Sequence, residues 1–496
     1  MSLDETETLF RRLSEYAASD AVPLHMPGHK RNPGEASFLE ALGARYDITE
    51  IDGFDNLHNA HGILKAAMDR AACLWGSDSS FFLVNGSTCG ILAAVTAAAK
   101  NSGSGKLILA RNCHKSVYNA AELNDLEPVY LAPPPVAGFG FCGSISPKAV
   151  EKAVTANPGT PVVVTSPTYE GVISNIAEIA VVCHLWGSPL IVDEAHGAHL
   201  GLSPDFPGGA IAAGADVVVQ SLHKTLTGLT QTGLLHLSGG LVPAEDIRRE
   251  LSVFETSSPS YLLMSSIDGT RDLLETRGTA LFRDWSKRLD RFDTGVATLQ
   301  NLKIPGHSDP FDCQRRADGA GYRKRGLHCP TVWDYDRSKI VVSCEGTDTT
   351  GAALMTALRE RYHIECEMAA CRYVVAMTGL LDRDEALERF AGALLELDKE
   401  IHGTAPRLPF ASAPIPPRRL SVREASVRPW QTVSLREARG KIAAEYVWAY
   451  PPGIPLAVPG EELTDALIRH ITIQREAGVA LHSTAGGMPR TLRIVE

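Results

Sequence analysis

The feature that most constrains this chain is a series of short, strongly apolar runs that alternate with helical patterns between residues 62 and 275. Strands that are buried on both faces of a parallel sheet have this continuous apolar character, whereas half-exposed strands alternate apolar and polar residues. The pattern therefore predicts a doubly wound α/β domain with a large, mostly parallel sheet. The predicted strands lie in the segments SSFFLVNG, KLILAR, PVYLAP, TPVVVTSP, PLIVDEA, ADVVVQSLH and TGLLHLSG.

The chain of 496 residues is too long for a single hydrophobic core and predicts several domains. Residues 1–61 are expected to form an amphipathic helix and a Pro/Gly-rich arm ahead of the large domain at 62–275. After the large domain we expect a smaller α+β domain at 276–402, a proline-rich basic linker at 403–425 and an appended C-terminal domain at 426–496.

Charge and composition exclude several classes of protein. The net charge of −10 argues against non-specific binding to nucleic acid, which needs a basic surface. No apolar run approaches the roughly twenty residues of a membrane span, and the N-terminus lacks the apolar core of a signal peptide, so we expect a cytoplasmic protein that does not bind a membrane. The ten cysteines are scattered without a C-x-x-C pair, which favours reduced, mostly buried thiols over disulfides or a structural metal.

Polar side chains follow several of the predicted strands, and in an open parallel sheet ligands bind outside the carboxyl ends of the strands. Ser87 and Thr88 lie between a strand and a helix, where hydroxyls and free N–H groups either bind a phosphate or simply cap the helix. His114 follows another strand, as an ordinary loop residue or as an aromatic platform for a flat ligand. Tyr169 and Glu170 belong to a polar cluster after a third strand.

Asp193 and Lys224 carry the strongest chemical signal. Asp193 directly follows three apolar residues, and a carboxylate buried there needs a cation or a donor as its partner. A metal site built from His196 and His199 is disfavoured because no further ligand set is evident. Lys224 follows another buried strand, where the loss of water would lower its pKa and make its amine nucleophilic. Such a lysine can form a Schiff base with pyridoxal phosphate, whose ring nitrogen would pair with the aspartate.

A set of motifs resembles the pyridoxal-phosphate-dependent ornithine/lysine/arginine decarboxylases, which have the aspartate-aminotransferase fold, known as fold type I. The resemblance extends from about residue 20 to about residue 490. It implies a decarboxylase with pyridoxal 5′-phosphate as its cofactor. The motifs are MPGHK, DGFDNLH, NGST, HKS, PTYEGV, VDEAHGAH, SLHKTLTGLTQTGLLH, TSSPSYLLMSSID and, near the C-terminus, YPPGIPLAVPGEE.

The resemblance also implies roles for individual residues. Lys224 would bind the cofactor covalently, and Asp193 would pair with its ring nitrogen. His114 and Ala195 would pack on the two faces of the ring, while His196 would help to position the cofactor and to move a proton. The phosphate would be held by Ser87, Thr88, Ser221 and His223 and, from the other subunit of a homodimer, by Ser257 and Ser258.

Two features depart from the family pattern. Many family members carry an N-terminal wing domain that resembles a response regulator, and they assemble into large rings with it. Here the segment LHMPGHK begins near residue 24, so we expect the shorter form and a homodimer, with higher oligomers left open. Glu170 stands where relatives carry aspartate or an aromatic residue, which leaves its part in substrate choice open.

The expected reaction is the decarboxylation of a basic amino acid, arginine or lysine ahead of ornithine, to CO2 and a polyamine or its precursor. Lys224 or His196 would return the proton to Cα. The alternatives are another pyridoxal-phosphate-dependent lyase, an aminotransferase or a desulfinase, and a catalytically silent binding protein. A cationic side chain that leaves water requires a carboxylate partner. The expected substrate contacts are therefore Glu170, Glu461 and Glu462, unless these are solvated surface glutamates.

Overall fold

A computed structural model describes residues 7–32, 34, 37–306, 331–404, 415–451, 453–486 and 489–496. The predicted N-terminal amphipathic helix is present as α1, Leu9–Ala17, and it buries Leu9 and Leu13. An arm follows, with the short helix α2 and two 3-10 turns. These elements are α2, Phe38–Ala41, and the turns Ala44–Tyr46 and Leu57–Asn59. Residues 405–414, part of the predicted linker, lie outside the described residues.

The predicted sheet is present, and each of the quoted apolar runs forms one of its strands. The strands are β1 Ser79–Leu83, β2 Lys106–Ala110, β3 Glu127–Leu131, β4 Val162–Thr165, β6 Leu190–Asp193, β7 Val217–Ser221 and β8 Gly233–Leu237, with the short β5 Val172–Ile173 outside this sheet. The seven strands lie in the order β1-β8-β7-β6-β4-β2-β3. All neighbours pair in parallel except β8, which runs antiparallel to both β1 and β7.

Helices pack against this sheet, and its central strands β4, β6, β7 and β8 are buried over almost their whole length. They are α3 Ile63–Trp75, α4 Gly86–Ser102, α5 Lys115–Leu123, α6 Pro147–Ala156, α7 Ile176–Leu185, α8 Leu222–Thr225 and α9 Ala244–Phe254. In α4, a Cβ atom at Gly90 would lie 2.7 Å from Leu83 and 2.9 Å from Val219, which is closer than carbon atoms pack. The glycine therefore lets α4 approach the end of β1 and the middle of β7.

A smaller α+β unit follows the sheet domain. It begins with the long helix α10, Tyr261–Gly295. The elements that follow are β9 Asp334–Tyr335, which pairs with β5, then β10 Lys339–Ser343, α11 Gly351–Tyr362, β11 Met368–Ala369, β12 Tyr373–Met377 and α12 Asp384–Glu400. The helix α10 lies against α1, α3 and α12, and the antiparallel sheet has the order β10-β12-β11.

The C-terminal unit contains two helices among its described residues, and it packs the second of them and two small antiparallel sheets around its own apolar cluster. Arg111 of the large domain attaches it, because this buried guanidinium donates hydrogen bonds to the backbone oxygens of Pro455 (2.6 Å) and Leu456 (3.0 Å). The elements are α13 Val422–Val427, β13 Trp430–Ser434, β14 Val447–Ala449, β15 Ile454–Ala457, α14 Asp465–Glu476, β16 Leu481–Ser483 and β17 Thr491–Val495.

None of the helices in the described part of the chain has both the length and the apolar character needed to cross a membrane. The cysteines that the structure describes are all free thiols, and most of them are buried.

Candidate active site

The carboxyl ends of β4, β6 and β7 bring the strongest predicted residues together. Asp193 is the last residue of β6, and it lies beside Thr165 of β4 and Val219 of β7. Ser221 ends β7, and the single turn α8 that follows carries Lys224. Because parallel strands end at the same edge of a sheet, residues that are far apart in the sequence face one cleft here.

Lys224 and His196 form the centre of this cleft. The amine Nζ of Lys224 lies 2.9 Å from Nε2 of His196, and the imidazole lies 4.1 Å from the ring of Tyr169. Burial lowers the pKa of Lys224, and the nearby carboxylates of Asp193 and Glu367 oppose this effect only in part. More of this amine is therefore neutral and nucleophilic than for an ordinary lysine.

His196 is a neutral imidazole with one unused nitrogen. Burial, and then the positive charge of Lys224, hold its pKa well below the ordinary value. Its buried Nδ1 makes no hydrogen bond within the described part of the chain. Its backbone oxygen accepts a hydrogen bond from Nζ of Lys339 (2.7 Å), which also donates to Asp336 (2.7 Å). This buried network fixes the loop that carries His196.

His199, the other histidine of this loop, belongs to the same network. Its Nε2 lies 3.2 Å from Asp336 and its Nδ1 lies 3.2 Å from the hydroxyl of Thr225. Both ring nitrogens therefore have protein partners. Among the described residues, no cluster of three or more His, Cys, Asp or Glu side chains is arranged to hold a metal ion.

Asp193 is a buried carboxylate that has no cationic partner among the residues that the structure describes. Its side chain accepts one hydrogen bond, from the backbone N–H of Ala195 (3.2 Å). No Lys, Arg or His nitrogen of the described chain lies within ion-pair distance of it. Burial raises the pKa of Asp193, and the more distant charge of Lys224 opposes that rise. A buried carboxylate in this state would gain most from a protonated nitrogen of a ligand.

Hydroxyls and backbone N–H groups gather at the start of α4. Ser87 and Ser221 hydrogen-bond to each other through their hydroxyls, although they come from different segments. Gly86 has a φ of 74°, a left-handed conformation that suits glycine and turns the chain from β1 into α4. Nδ1 of His223 donates to the backbone oxygen of Thr232 (2.9 Å), so its Nε2 is left for another partner. Thr88 is exposed at the same helix start.

Ser257 and Ser258 lie close to this helix start, in the segment between α9 and α10. The preceding residue, Thr256, donates its backbone N–H to the side chain of Asn85 (3.2 Å), which is the N-cap of α4. Both serines are exposed on the single chain. They are therefore free to contact a neighbouring molecule.

His114 is held as a neutral ring at the start of α5. Its Nδ1 accepts a hydrogen bond from the backbone N–H of Ser116 (3.2 Å) and contacts the Ser116 hydroxyl (2.8 Å). Burial, followed by the charges of Lys224 and Lys115, lowers the pKa of His114 to about 4. A Cβ atom at Gly453 would lie 3.0 Å from the imidazole, so the C-terminal unit closes tightly on this ring.

The three glutamates expected to contact the substrate have different surroundings. Glu170 is buried, accepts a hydrogen bond from the hydroxyl of Tyr373 (2.7 Å) and lines a cavity of about 140 Å3. Glu461 is fully buried and pairs with Arg111 (3.4 Å) where the C-terminal unit is attached. Glu462 pairs with Arg419 (2.8 Å) at the surface.

Sequence reasoning did not identify three charged residues of the small unit that reach this site. Glu367 accepts a hydrogen bond from the hydroxyl of Tyr169, and Lys339 and Asp336 support the loop of His196. All three precede or begin short strands of the small unit, and no motif marks them. Their role follows only from the packing of the small unit against the sheet domain.

Comparison with known proteins places the chain among decarboxylases. The family model described as "Orn/Lys/Arg decarboxylase, major domain" matches residues 7–309, and the model of the C-terminal domain of that family matches residues 418–481. An arginine decarboxylase of Halalkalibacterium halodurans is 32% identical over 100% of this chain and 99% of its own length. The arginine decarboxylase of Bacillus subtilis is 30% identical over 100% of this chain and 99% of its own length.

Solved structures agree with the predicted fold. The constitutive lysine decarboxylase of E. coli has a TM-score of 0.78 and 19% identity, and the match covers 98% of this chain and 82% of that one. The serine palmitoyltransferase of Sphingomonas wittichii has a TM-score of 0.52 and 17% identity, over 74% of this chain and 83% of that one. The prediction of a fold-type-I α/β architecture is confirmed.

Proposed function

Because the chain belongs to the Orn/Lys/Arg decarboxylase family of pyridoxal-phosphate-dependent enzymes, we propose that its substrate is arginine. The products would be CO2 and the corresponding amine, a polyamine precursor. One observation carries the proposal. The amine of Lys224, hydrogen-bonded to His196 at 2.9 Å, shares a cleft with the buried carboxylate of Asp193. Similarity over the whole chain to proteins named arginine decarboxylase favours arginine over lysine and ornithine.

The residues of the cleft fit pyridoxal 5′-phosphate. Asp193, which is buried and has no cationic partner in the described part of the chain, suits a protonated ring nitrogen. The adjoining hydroxyls of Ser87 and Ser221, together with the N–H groups at the start of α4, suit a phosphate. The lowered pKa of Lys224 suits covalent attachment of the cofactor. Thr88, His223, His114 and Ala195 are the remaining residues of this chain that we assign to the binding of the cofactor.

The residues of the chain would then act as follows. Once bound, the cofactor supplies an electron sink for the pair released when the bond between Cα and the carboxylate breaks. Asp193 would keep the ring nitrogen protonated, and its charge would stabilise that proton because the site is buried. Lys224 Nζ would deliver to Cα the proton that replaces CO2, while the neutral His196 holds Nζ in place through Nε2.

A panel of amino acids tests the proposed substrate. CO2 release and 2-keto acid formation would be measured for arginine, lysine, ornithine and a neutral amino acid. We expect CO2 release without keto acid, with the highest kcat/KM for arginine. A stoichiometric keto acid would instead indicate an aminotransferase, and a higher kcat/KM for the neutral amino acid would contradict a basic substrate.

We also propose a cytoplasmic homodimer whose active sites are shared between the subunits. The arm after α1 exposes large apolar side chains, namely Val22 (75%), Leu24 (89%), Met26 (64%) and Phe38 (65%). Such a concentration of exposed apolar residues supports an interface with a second copy of the chain. The exposed Ser257 and Ser258 would then reach the phosphate in the other subunit. The free thiols support a reducing compartment.

Subunit mixing should reveal the shared site. In a Ser257→Asp/Ser258→Asp chain, the two carboxylates would repel the phosphate that the serines contact across the interface. This double variant should therefore be inactive alone. A Lys224→Ala chain should also be inactive. A heterodimer of the two contains one site with Lys224 and both serines intact, so mixing should restore CO2 release.

Ser252→Asp changes an exposed serine of α9 whose hydroxyl only donates to the backbone of Arg249, and this chain should stay active without mixing. If differently tagged chains exchange and yet no activity returns, Ser257 and Ser258 do not serve the other subunit.

A further inference from the structure

Glu367 is a carboxylate at the active site that none of the roles described above uses. It lies on the small unit, directly before β11, and its side chain is exposed to solvent. The hydroxyl of Tyr169 donates a hydrogen bond to its Oε1. Within the described chain no Lys, Arg or His nitrogen forms an ion pair with it. Its charge therefore remains available to a ligand.

The position of Tyr169 directs this carboxylate toward the reacting groups. The Nζ of Lys224 lies over the Tyr169 ring, 5.8 Å from its centre, and the hydroxyl of the same ring donates to Glu367. Tyr169 therefore contacts the carboxylate and has the amine near its ring. After burial and the charge of Asp193, the charge of Glu367 is the next influence on the pKa of Lys224, which it raises. The two side chains face the same cleft.

The other glutamates near the cleft already have partners in the protein. Glu170 accepts from Tyr373, Glu461 pairs with the buried Arg111, and Glu462 pairs with Arg419. Glu367 has no arginine partner among the described residues, unlike Glu461 and Glu462, and it is exposed, whereas Glu170 is buried beside its neutral partner Tyr373. A cationic substrate that enters the cleft would therefore meet Glu367 as an uncompensated negative charge.

We propose that Glu367 binds the guanidinium of the substrate, an inference that rests on the proposed function. The methylene groups of the substrate would lie along the ring of Tyr169. A carboxylate accepts two parallel N–H donors from a planar guanidinium, whereas an ammonium offers only a point charge. The aromatic face adds a favourable contact for a guanidinium.

The experiment compares two substitutions that each remove one negative charge from the same short segment. Glu367→Gln keeps the shape of the side chain and its contact with Tyr169. Glu365→Gln is the matched control, since Glu365 lies two residues earlier, is 71% exposed and faces Arg359 at 3.5 Å. For each holoenzyme we would measure KM and kcat for arginine, and the inhibition constant of citrulline, which carries an uncharged urea in place of the guanidinium.

We expect Glu367→Gln to raise KM for arginine about tenfold to a hundredfold, as for the loss of a charge-assisted hydrogen bond, and to leave kcat within about threefold. The inhibition constant of citrulline should stay unchanged, because an uncharged urea gains little from the carboxylate. Glu365→Gln should match the wild type in all three constants. The absorbance of the bound cofactor should be the same in all proteins, which shows that the site is intact.

The outcomes separate this inference from the proposed function. If the wild type releases no CO2 from arginine, the proposed function fails and the role of Glu367 fails with it. If the wild type is active and Glu367→Gln behaves like Glu365→Gln, only the Glu367 inference is wrong. If KM for arginine and the inhibition constant of citrulline rise together, Glu367 shapes the site without recognising the charge, and the inference is again wrong.

Discussion

Lys224→Ala is expected to give a folded protein that no longer binds its cofactor covalently and has lost at least about 10⁴-fold in kcat/KM for arginine. The loss should reach or exceed the upper range for a single acid or base, because we assign to Lys224 both the covalent attachment and the transfer of a proton to Cα. The amine is suited to both tasks, since burial lowers its pKa and His196 holds it at 2.9 Å.

The attachment can be measured independently of activity. Borohydride reduction of the wild-type holoenzyme, followed by peptide mass spectrometry, should identify the cofactor on Lys224, and the Lys224→Ala protein should carry no such label. Lys152→Ala, which changes an exposed lysine of α6, should label and react like the wild type. A label on a different lysine of the wild type would refute the assignment of Lys224.

The sheet could be predicted from the sequence because strands that are buried on both faces have continuous apolar sequences. The runs Val162–Thr165 and Val217–Ser221 each begin with three consecutive valines, which are β-branched and apolar, and each forms a strand. The direction of a strand within the sheet has no comparable sequence pattern. The segment that forms β8 reads like its neighbours, yet it runs antiparallel to β1 and β7. Its orientation depends on the path of the chain between strands.

The same reasoning explains which site residues were predicted. Asp193, Ser221 and Lys224 follow successive strands, and the geometry of a parallel sheet brings such strand ends together. Glu367 and Lys339 come from another unit, and their approach to Tyr169 and His196 depends on how the two units pack. A sequence pattern does not encode that packing.

Glu461 is a residue whose partner within the protein could not be predicted from the sequence. Its segment, PGEE, reads as an acidic loop with carboxylates free for a ligand. In the structure Glu461 is fully buried, and Arg111 of the large domain pairs with it. Because Arg111 is far from it in the sequence, only the docking of the C-terminal unit reveals that its charge has a partner within the protein.

Asp193→Asn is expected to lower kcat by about 10² to 10³-fold, as for other groups that stabilise charge in a buried site, while the fold is retained. A neutral amide cannot hold the proton on the ring nitrogen of the cofactor, so the electron sink weakens. KM for arginine should change little, since Asp193 lies at the end of β6 and is not assigned to the substrate. Steady-state kinetics of CO2 release would measure both constants.

Although Asp193→Asn should lower activity, we do not expect it to destabilise the cofactor-free protein. Burial raises the pKa of Asp193 in the folded chain, so at neutral pH its ionised form is less favourable in the folded state than in the unfolded one. Removing that charge should therefore leave the Tm of the cofactor-free protein equal to, or above, that of the wild type.

Asp216→Asn is the matched control at the opposite end of the sheet. Asp216 accepts hydrogen bonds from Leu190 N (2.7 Å) and His184 Nε2 (3.0 Å) just before β7, and its loss should destabilise the fold by about 1–3 kcal/mol with kcat within about threefold. A kcat for Asp193→Asn near the wild-type value, or a Tm as low as that of Asp216→Asn, would mean that Asp193 supports the fold and not the cofactor.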